Sequence, residues 1–269
     1  KKLLPLEPLA DHEPLIPRLS IVNLKLERYR RNFSPLSEEL ALALRDAVDR
    51  GEQALLYINR QGMNAFSVCE KCKEVFRCKE CNHPLTSTKE GHFRCVSCSY
   101  TTALFPNCPT CGHLTFRHIG FGTERIEKEV RKLLPKARIV RLDSTTLKTP
   151  KILQNTFSAG QKNEIDILIG TQMILKDPPL PKLSLIAMID ADSVLLFPDF
   201  QADERLFRDL SRAVRQISGQ QKGRVFGQTF RPEGAFFQKI AGKKSTEVLE
   251  YFLSERNDLS YPPLYRFLS

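Results

Sequence analysis

The sequence lacks an apolar run of the roughly 20 residues that a helix needs to cross a bilayer. Prolines and acids interrupt residues 1–17, where a secretory signal peptide has an unbroken apolar stretch. The phosphate-loop pattern G-x-x-x-x-G-K-S/T, the G-x-S-x-G elbow and the H-E-x-x-H helix are also missing. These absences exclude a membrane-spanning class and the corresponding nucleotide and hydrolase sites within these residues. We expect a cytoplasmic protein without a membrane partner.

Negative charge is also scarce relative to positive charge. The 269 residues contain 41 Lys and Arg against 31 Asp and Glu, which gives a formal net charge of +10 at pH 7. A basic chain favours nucleic acid as the first partner class and an anionic membrane surface as the second. With 41% hydrophobic residues, the chain can still bury a full core.

No cysteine stands outside a Cys-x-x-Cys pair, which excludes an isolated catalytic thiol. Each pair puts two thiolates on one tight turn, so four pairs supply two four-sulfur shells of the kind that hold structural Zn²⁺. Such closed shells leave no position for a catalytic water. The pairs are Cys69/Cys72, Cys78/Cys81, Cys95/Cys98 and Cys108/Cys111.

Other uses of these thiols are less consistent with the sequence. Disulfides are typical of secreted proteins, and no signal peptide is present. Iron–sulfur clusters are often held by a C-x2-C-x2-C run, which does not occur here, although thiolates alone do not exclude iron. The neighbouring His83, His92 and His113 are expected to be polar hairpin residues or supports for the ligands, because eight thiolates already fill two shells.

Spacing alone allows three ways of sharing the four pairs between two ions. A nested arrangement is one of them: the segment 82–94, NHPLTSTKEGHFR, is long enough for a hairpin that brings Cys78/Cys81 and Cys95/Cys98 together. The outer pairs would then close the other site.

Elsewhere, helical and strand patterns alternate. Strands are predicted at LSIVNLK, ALLYINR, ARIVRLD, IDILIGTQ, LSLIAMIDAD and GRVFGQTF, and helices lie between most of them. This rhythm predicts an α/β fold with a parallel sheet flanked by helices, into which the cysteine module is inserted. We expect an extended linker at 1–20, the α/β domain at 21–60 and 115–232, the module at 61–114, and the start of a further, truncated helical domain at 233–269.

Candidate functional groups stand where buried strands end. Gly170, Thr171 and Gln172 follow one such strand, where backbone N–H groups and a hydroxyl can meet a phosphate. Asp190 and Asp192 end another, and a simple solvated strand end explains them equally well. Gly120 and Gly122 free a helix N-terminus that could hold an anion, although glycine at such a turn usually serves backbone geometry.

Together these motifs resemble the PriA family (primosomal protein N′), the bacterial replication-restart DNA helicases of superfamily 2. The matching segments are ALLYINRQG, the four-pair cysteine module with CPTCG, FGTERIEKEV, ILIGTQM, LIAMIDAD, DFQADERLF and YPPL. They extend over nearly the whole chain, and the eight-cysteine module followed by GTE and IGTQM is specific to the family.

The resemblance implies a second RecA-like motor lobe with a two-zinc module, in which Cys69, Cys72, Cys108 and Cys111 hold one ion and Cys78, Cys81, Cys95 and Cys98 hold the other. Family members couple ATP hydrolysis to 3′-to-5′ movement on DNA at stalled forks and help load the replicative helicase. The implied partners are forked or single-stranded DNA, primosome and helicase-loading proteins, and single-stranded DNA-binding protein. We expect a monomer in the bacterial cytoplasm, associated with the nucleoid.

ATP and Mg²⁺ would bind only together with the family's first motor lobe, whose phosphate loop is not in this sequence, so we expect these residues alone to be inactive. The family's Gln-x-x-Gly-Arg-x-Gly-Arg motif is replaced by SRAVRQISGQQKGR, and its Lys-Gly-His-x-Phe-Pro by residues 176–181, KDPPLP. Arg215 is the candidate arginine finger, while Gly170, Thr171 and Gln172 are candidates for coupling DNA to ATP.

Three hypotheses follow. The first is a lobe of an ATP-dependent DNA helicase. The second is a diverged scaffold that does not hydrolyse ATP but binds DNA and loading proteins through its zinc module. The third is a zinc-stabilised α/β domain whose basic charge is only a solvated face, and it predicts no salt-dependent DNA affinity.

Overall fold

Two sheets organise the chain in a computed structural model. The larger sheet has six strands and the smaller has five. The structure describes residues 19–32, 34–58, 66–72, 74–80, 85–87, 92–95, 98, 100–103, 107–119, 122–143, 146, 150–171, 174–175, 180–195, 201–217, 223–240 and 245–261.

The strands are β1 (Leu19–Asn23), β2 (Gln53–Tyr57), β3 (Phe66–Cys69), β4 (Leu85–Ser87), β5 (Phe93–Cys95), β6 (Thr101–Thr102), β7 (Phe116–Ile119), β8 (Ile139–Leu142), β9 (Ile167–Gly170), β10 (Leu183–Met188) and β11 (Arg224–Thr229). The helices are α1 (Leu24–Tyr29), α2 (Glu38–Asp49), α3 (Thr123–Leu133), α4 (Pro150–Gln161), α5 (Asp192–Leu195), α6 (Ala202–Gln216), α7 (Ala235–Ile240) and α8 (Ser245–Asp258).

The six-stranded sheet is parallel throughout, in the order β1-β11-β10-β2-β9-β8. Its central strands are buried on both faces, which explains their nearly continuous apolar sequences. In β2, Leu55 and Tyr57 join the apolar cluster under α6, α7 and α8, whereas Leu56 joins the cluster under α2 and α3. Helices therefore cover both faces, and the predicted α/β fold class, a parallel sheet with flanking helices, is confirmed.

Local signals set the ends of the first helices. The Ser37 hydroxyl accepts a hydrogen bond from the Leu40 N–H at 3.2 Å and caps α2, as its sequence pattern predicts. The predicted strand LSIVNLK is too long, because the Asn23 side chain accepts from the Lys25 N–H at 2.9 Å and begins α1 directly after the strand. The hydrophobic pattern of the sequence did not predict this short helix.

The five-stranded sheet is antiparallel, in the order β6-β5-β4-β3-β7, and lies between β2 and α3 along the chain. The strands β4 and β5 pair with Leu85 opposite Cys95, which confirms the predicted hairpin. Phe76 and Phe93 stack with ring centroids 5.7 Å apart. The sheet extends to Ile119, beyond the predicted module end at 114, because β7 pairs with β3.

The remaining domain bounds stay predictions. The linker predicted for 1–20 lies outside the described residues except for its last two, which belong to β1. The helical reading of the chain after Pro232 is confirmed by α7 and α8, while residues 262–269, with most of the YPPL motif, lie outside the described part. None of the helices in the described ranges is both long and apolar enough to span a membrane.

Candidate metal centre and sheet-edge site

The outer cysteine pairs meet in the small sheet. The sulfur atoms of Cys69, Cys72, Cys108 and Cys111 all lie within 4.8 Å of one another. Cys69 stands at the end of β3, and its N–H donates to the Glu74 carbonyl across the first turn. The N–H of Gly112, which has a positive φ of 70°, donates to the Cys108 carbonyl and closes the second turn. Tight turns thus present all four thiols to one point.

The inner pairs form a second cluster. The sulfur atoms of Cys78, Cys95 and Cys98 lie within 4.8 Å of one another, and the predicted fourth ligand, Cys81, lies outside the described residues. Cys95 is carried by β5 of the hairpin, and the Glu80 N–H points to the Cys78 sulfur at 3.4 Å. The seven described thiols are therefore gathered in the groups that the nested arrangement predicts.

Sulfur spacing fits a tetrahedral ion. A Zn–S bond of about 2.3 Å separates the sulfurs of a regular tetrahedron by about 3.8 Å. The distances are 3.5 Å for Cys69–Cys111 and 3.7 Å for Cys72–Cys108. Disulfide sulfurs would be about 2.05 Å apart, and all these cysteines are free. The two clusters could hold metal ions.

Electrostatics also favour a cation here. Desolvation opposes the Cys69 thiolate, but N–H donors of Cys72 and Lys71 and the thiol of Cys111 outweigh it and lower its pKa to about 6. At Cys72 the N–H of Glu74 lowers the pKa, yet desolvation and the neighbouring thiols outweigh it and raise the pKa overall. The Cys69 thiolate therefore forms more readily than that of Cys72, and a bound cation would favour both thiolates.

The two described histidines near the module, His92 and His113, do not belong to these clusters. His83 lies outside the described residues, and His92 is exposed. The His113 ring shares a hydrogen bond of 2.6 Å with the Thr115 hydroxyl. Its backbone carbonyl accepts from the Cys108 N–H at 2.7 Å. His113 therefore supports a metal turn through its backbone.

A second group of candidates lies at the carboxyl edge of the large sheet. Gly170 ends β9, where a Cβ atom would stand 2.7 Å from the Leu142 carbonyl oxygen and 2.5 Å from the Ile174 Cδ1 atom. Only glycine fits this contact with β8. Thr171 is buried directly after it, and Gln172 lies outside the described residues.

Asp190 and Asp192 are buried at the end of β10 and are not a solvated strand end. Asp192 accepts from the Thr229 hydroxyl and the Phe230 N–H, both at 2.6 Å. Asp190 accepts from the Ser193 N–H at 3.1 Å. Burial and the charge of Asp192 raise the pKa of Asp190 to about 7, and burial raises that of Asp192.

The other predicted anion site, the N-terminus of α3, already faces a carboxylate. The Thr123 hydroxyl donates to the buried Asp143, and Gly122 caps the helix without a side-chain bond. Gly120 lies outside the described residues. The glycine at 122 has open space around it, so its role is not a close contact.

Arg215 lies on the exposed face of α6. With Arg208, Arg212 and Gln216 it is among the described residues that line a surface depression of about 330 Å³. The Gln216 amide donates to the Leu175 carbonyl at 2.6 Å, which ties α6 to the segment that follows Thr171. This hydrogen bond places the segment that follows Gly170 against the last turn of α6, which carries Arg215.

Sequence reasoning missed the residues beneath these arginines. The Tyr57 hydroxyl donates to the buried Asp209 carboxylate at 2.8 Å, although the two residues are 152 positions apart. Burial, with the charge of Asp209, raises the pKa of Tyr57. Arg208 was missed too, and its i, i+4, i+7 spacing with Arg212 and Arg215 was the available signal.

The fold and the site define an α/β domain with a parallel sheet, which carries a small cysteine-rich module with two clusters of thiols that could hold metal ions. No family model matches the chain. Among solved structures, the C-terminal part of the Fun30 ATPase domain is 12% identical with a TM-score of 0.35, covering 83% of this chain and 53% of that one. The Pyrococcus furiosus Hef helicase domain is also 12% identical, with a TM-score of 0.32, covering 81% and 28%.

Sequence relatives are nearer. Replication restart protein PriA of Bacillus subtilis (strain 168) is 32% identical over 98% of this chain and 33% of its own length. PriA of Rickettsia felis is 32% identical over 94% of this chain and 40% of its own, and PriA of Thermotoga maritima 30% identical over 84% and 30%. The resemblance to PriA, a replication restart protein, is confirmed, and the chain spans about a third of the length of these relatives.

Proposed function

We propose that this chain is the second motor lobe and zinc module of a PriA-like, ATP-dependent 3′-to-5′ DNA helicase that recognises stalled forks and restarts replication. The observation that carries the proposal is the alignment with PriA along 98% of the chain, which includes all four cysteine pairs. The parallel sheet and the two thiol clusters support it.

Zinc is the proposed metal, one ion in each cluster. Four thiolates suit Zn²⁺, and an ion whose coordination shell is closed has a structural role. Cys69, Cys72, Cys108 and Cys111 would hold the first ion, and Cys78, Cys81, Cys95 and Cys98 the second. Elemental analysis of the chain purified without added metal should give two zinc per chain and little iron, and an iron-rich preparation would contradict the assignment.

ATP hydrolysis needs groups beyond these residues. The sequence has no phosphate loop, so ATP and Mg²⁺ would bind where another part of the protein meets this lobe. Positive side chains of the lobe would then stabilise the charge that develops on the transferred phosphate. Arg215 is the proposed arginine finger, and Gly170, Thr171 and Gln172 would couple DNA contact to the ATP site.

The net charge of +10 supports forked and single-stranded DNA as the main ligand. Further partners would be primosome and helicase-loading proteins and single-stranded DNA-binding protein, and the protein would act as a monomer in the cytoplasm at the nucleoid. Affinity for forked DNA should fall steeply with added salt, because binding releases counterions from the phosphates. If the chain did not bind DNA, or if its affinity did not depend on salt, the basic charge would be only a solvated face.

The deciding experiment measures ATPase activity of the full-length protein, with and without forked DNA, at matched zinc content. Turnover that forked DNA stimulates is expected. DNA binding without turnover would instead favour a scaffold that binds DNA and loading proteins, which the similarity to PriA does not favour. A variant with Arg215→Gln tests the finger: kcat should fall at least tenfold while DNA affinity stays constant.

A further inference from the structure

The short helix α1 presents an exposed aromatic ring beside exposed arginines. Tyr29 is 88% exposed, more than any other large hydrophobic residue in the described part of the chain, and Leu26, one turn earlier, is 54% exposed. Arg30 and Arg31 follow directly and are exposed as well. A single exposed apolar side chain needs no explanation, but a ring flanked by guanidinium groups is typical of sites that hold single-stranded nucleic acid.

The backbone at Arg31 lies in the left-handed region, with φ at 63°. The Arg31 N–H donates to the Arg28 carbonyl at 3.0 Å, and the Asn32 N–H donates to the Glu27 carbonyl at 2.9 Å. This is the Schellman arrangement that ends many helices, and glycine is the usual residue at the left-handed position because a side chain is strained there. An arginine at this position therefore indicates a role for its side chain.

Hydrogen bonds of a buried carboxylate hold this turn in one conformation. Glu27 is buried and accepts from the Asn32 amide at 2.6 Å and from the Glu38 N–H at 3.0 Å. The Asn32 amide also donates to the Leu36 carbonyl at 3.1 Å. The turn is thus fixed to the start of α2. Because its backbone is already ordered, binding of a ligand beside Tyr29 costs less conformational entropy.

Positive charge is in excess around the ring. Residues 24–32 include one acid, the buried Glu27, and four basic residues: Lys25, Arg28, Arg30 and Arg31. Lys25 forms an exposed ion pair with Glu233. Arg30 lies 3.9 Å from Glu38, also at the surface. Exposed pairs of this kind are weak and exchange readily for a phosphate, and Arg31 forms no ion pair within the described residues.

The helix α1 lies at the carboxyl edge of the large sheet. Asn23, the last residue of β1, is paired with Thr229 at the end of β11. The Arg28 guanidinium lies over the Phe230 ring, 5.7 Å from its centroid, so α1 packs on the segment that follows β11. Gly170 ends β9 at the same edge, because all six strands are parallel. Ligands of parallel α/β sheets bind at this edge.

From these observations we infer that α1 and the turn after it form a contact site for single-stranded DNA. The Tyr29 ring stacks on a base, Leu26 extends the apolar surface beside it, and Arg30 and Arg31 bind the flanking phosphates. None of these residues belongs to the cysteine module or to the segment after β9. The inference deepens the proposed function and rests on it for the identity of the nucleic acid.

The first test is a fluorescence titration of the metal-loaded chain with oligo(dT). The sequence contains no tryptophan, so Tyr29→Trp introduces a single indole at the site. Its emission should be quenched when oligo(dT) binds, because a base stacks on the ring. The control probe is Leu253→Trp, at a side chain that is 51% exposed on α8, across the sheet from α1, and its emission should not change. No change at Tyr29→Trp, or an equal change in both, overturns the stacking.

Affinity measurements separate the ring from the charges. Tyr29→Ala should weaken oligo(dT) binding about fivefold or more, and Tyr29→Phe should recover most of that loss because it keeps the ring. Arg30→Gln should reduce the slope of log affinity against log salt by about 0.7, as expected for one lost phosphate contact with a single strand. The matched control is Lys162→Gln, which removes a positive charge before β9, at the opposite edge of the sheet.

Arg31→Gly distinguishes a binding role from a structural one. Glycine adopts a positive φ without strain, so the variant should be at least as stable to urea as the wild type. Its oligo(dT) affinity should nevertheless fall about threefold or more, with a smaller salt slope. A loss of stability together with affinity would show that Arg31 serves only the fold and would contradict the assignment.

The outcomes for this site and for the proposed function are separable. Unchanged oligo(dT) affinity in Tyr29→Ala and Arg31→Gly, or an equal loss in Lys162→Gln, overturns the α1 site and leaves the helicase proposal standing. A blunt duplex offers no unpaired base, so a loss on duplex as large as that on oligo(dT) also overturns the stacking. An absence of DNA-stimulated ATPase activity in the full-length protein contradicts the helicase proposal, and these titrations involve no turnover.

Discussion

The two sheets of this chain are stabilised by different means. The six-stranded sheet lies between two large apolar clusters, in which residues such as Leu55 and Leu56 are fully buried. The described core of the small sheet has seven buried members, and four of them are cysteines: Cys69, Phe76, Cys78, Leu85, Phe93, Cys95 and Cys108. A core that consists largely of potential metal ligands buries little apolar surface, so the hydrophobic effect stabilises it only weakly. The small sheet should therefore depend on its ions, and the large sheet should not.

Removal of the metal should have the largest effect, and it should destabilise the small sheet but not the large one. Structural zinc contributes an apparent 10–16 kcal/mol, roughly, to small domains that fold around it. Chelation should abolish hydrogen-exchange protection in β3 to β7, while amides of β2, β9 and β10 stay protected. Exchange with and without chelator, followed by zinc replacement, measures this. Protection of the small sheet that survives complete metal removal would contradict the comparison.

Removing one ligand should unfold part of the module. Cys95→Ser takes a buried thiol from the inner cluster, and three thiolates close a structural shell poorly. The variant should retain about half of its metal, because binding and folding of each site are coupled. The control Thr101→Ser changes an exposed position of the neighbouring strand. Loss of cooperative unfolding in the whole chain would argue against a separable module.

A cavity in the large sheet should have the opposite effect. Leu56 lies fully buried in the central strand, and Leu56→Ala should lower the free energy of unfolding by about 2–5 kcal/mol. Metal content should stay constant. Urea unfolding and elemental analysis check the two statements together. Leu42→Ala, at a side chain that is 58% exposed on α2, is the matched control and should change stability by less than about 0.5 kcal/mol.

Much of the large sheet could be predicted from the sequence, because buried parallel strands have continuous apolar runs and helices begin with recognisable caps such as Ser37. The cysteine clusters were predictable because Cys-x-x-Cys spacing is itself a local geometry. The pair Tyr57–Asp209 was not, since 152 residues separate its members and neither has a local signal. The short helix α1 was missed because Asn23 caps it at the end of a strand.

Gly170→Ala tests whether the loop glycine serves packing. The added methyl group would meet a backbone oxygen of β8, which cannot move as a side chain can, so a loss of about 1–3 kcal/mol is expected. Gly122→Ala is the control, since nothing lies within 4 Å of its position. If the two variants were equally stable, packing would not explain the glycine at position 170, and its role would be functional.

The most gradual expected effect is the pH dependence of stability, which changes the large sheet by a small amount at each step of pH. Asp190 has a pKa of about 7, against 3.8 for an unperturbed aspartate, because it is buried beside Asp192. Between these values the folded protein holds more protons than the unfolded chain, so stability falls as pH rises from about 4 to about 7, by at most about 1.4 kcal/mol per pH unit. Asp190→Asn keeps an oxygen for the Ser193 N–H and removes the titrating group. Urea unfolding between pH 5 and 8 should then show a flatter profile, and the variant should gain stability over the wild type toward pH 8. An unchanged slope would mean that Asp190 is ionised throughout and that the sheet tolerates a buried charge at this edge.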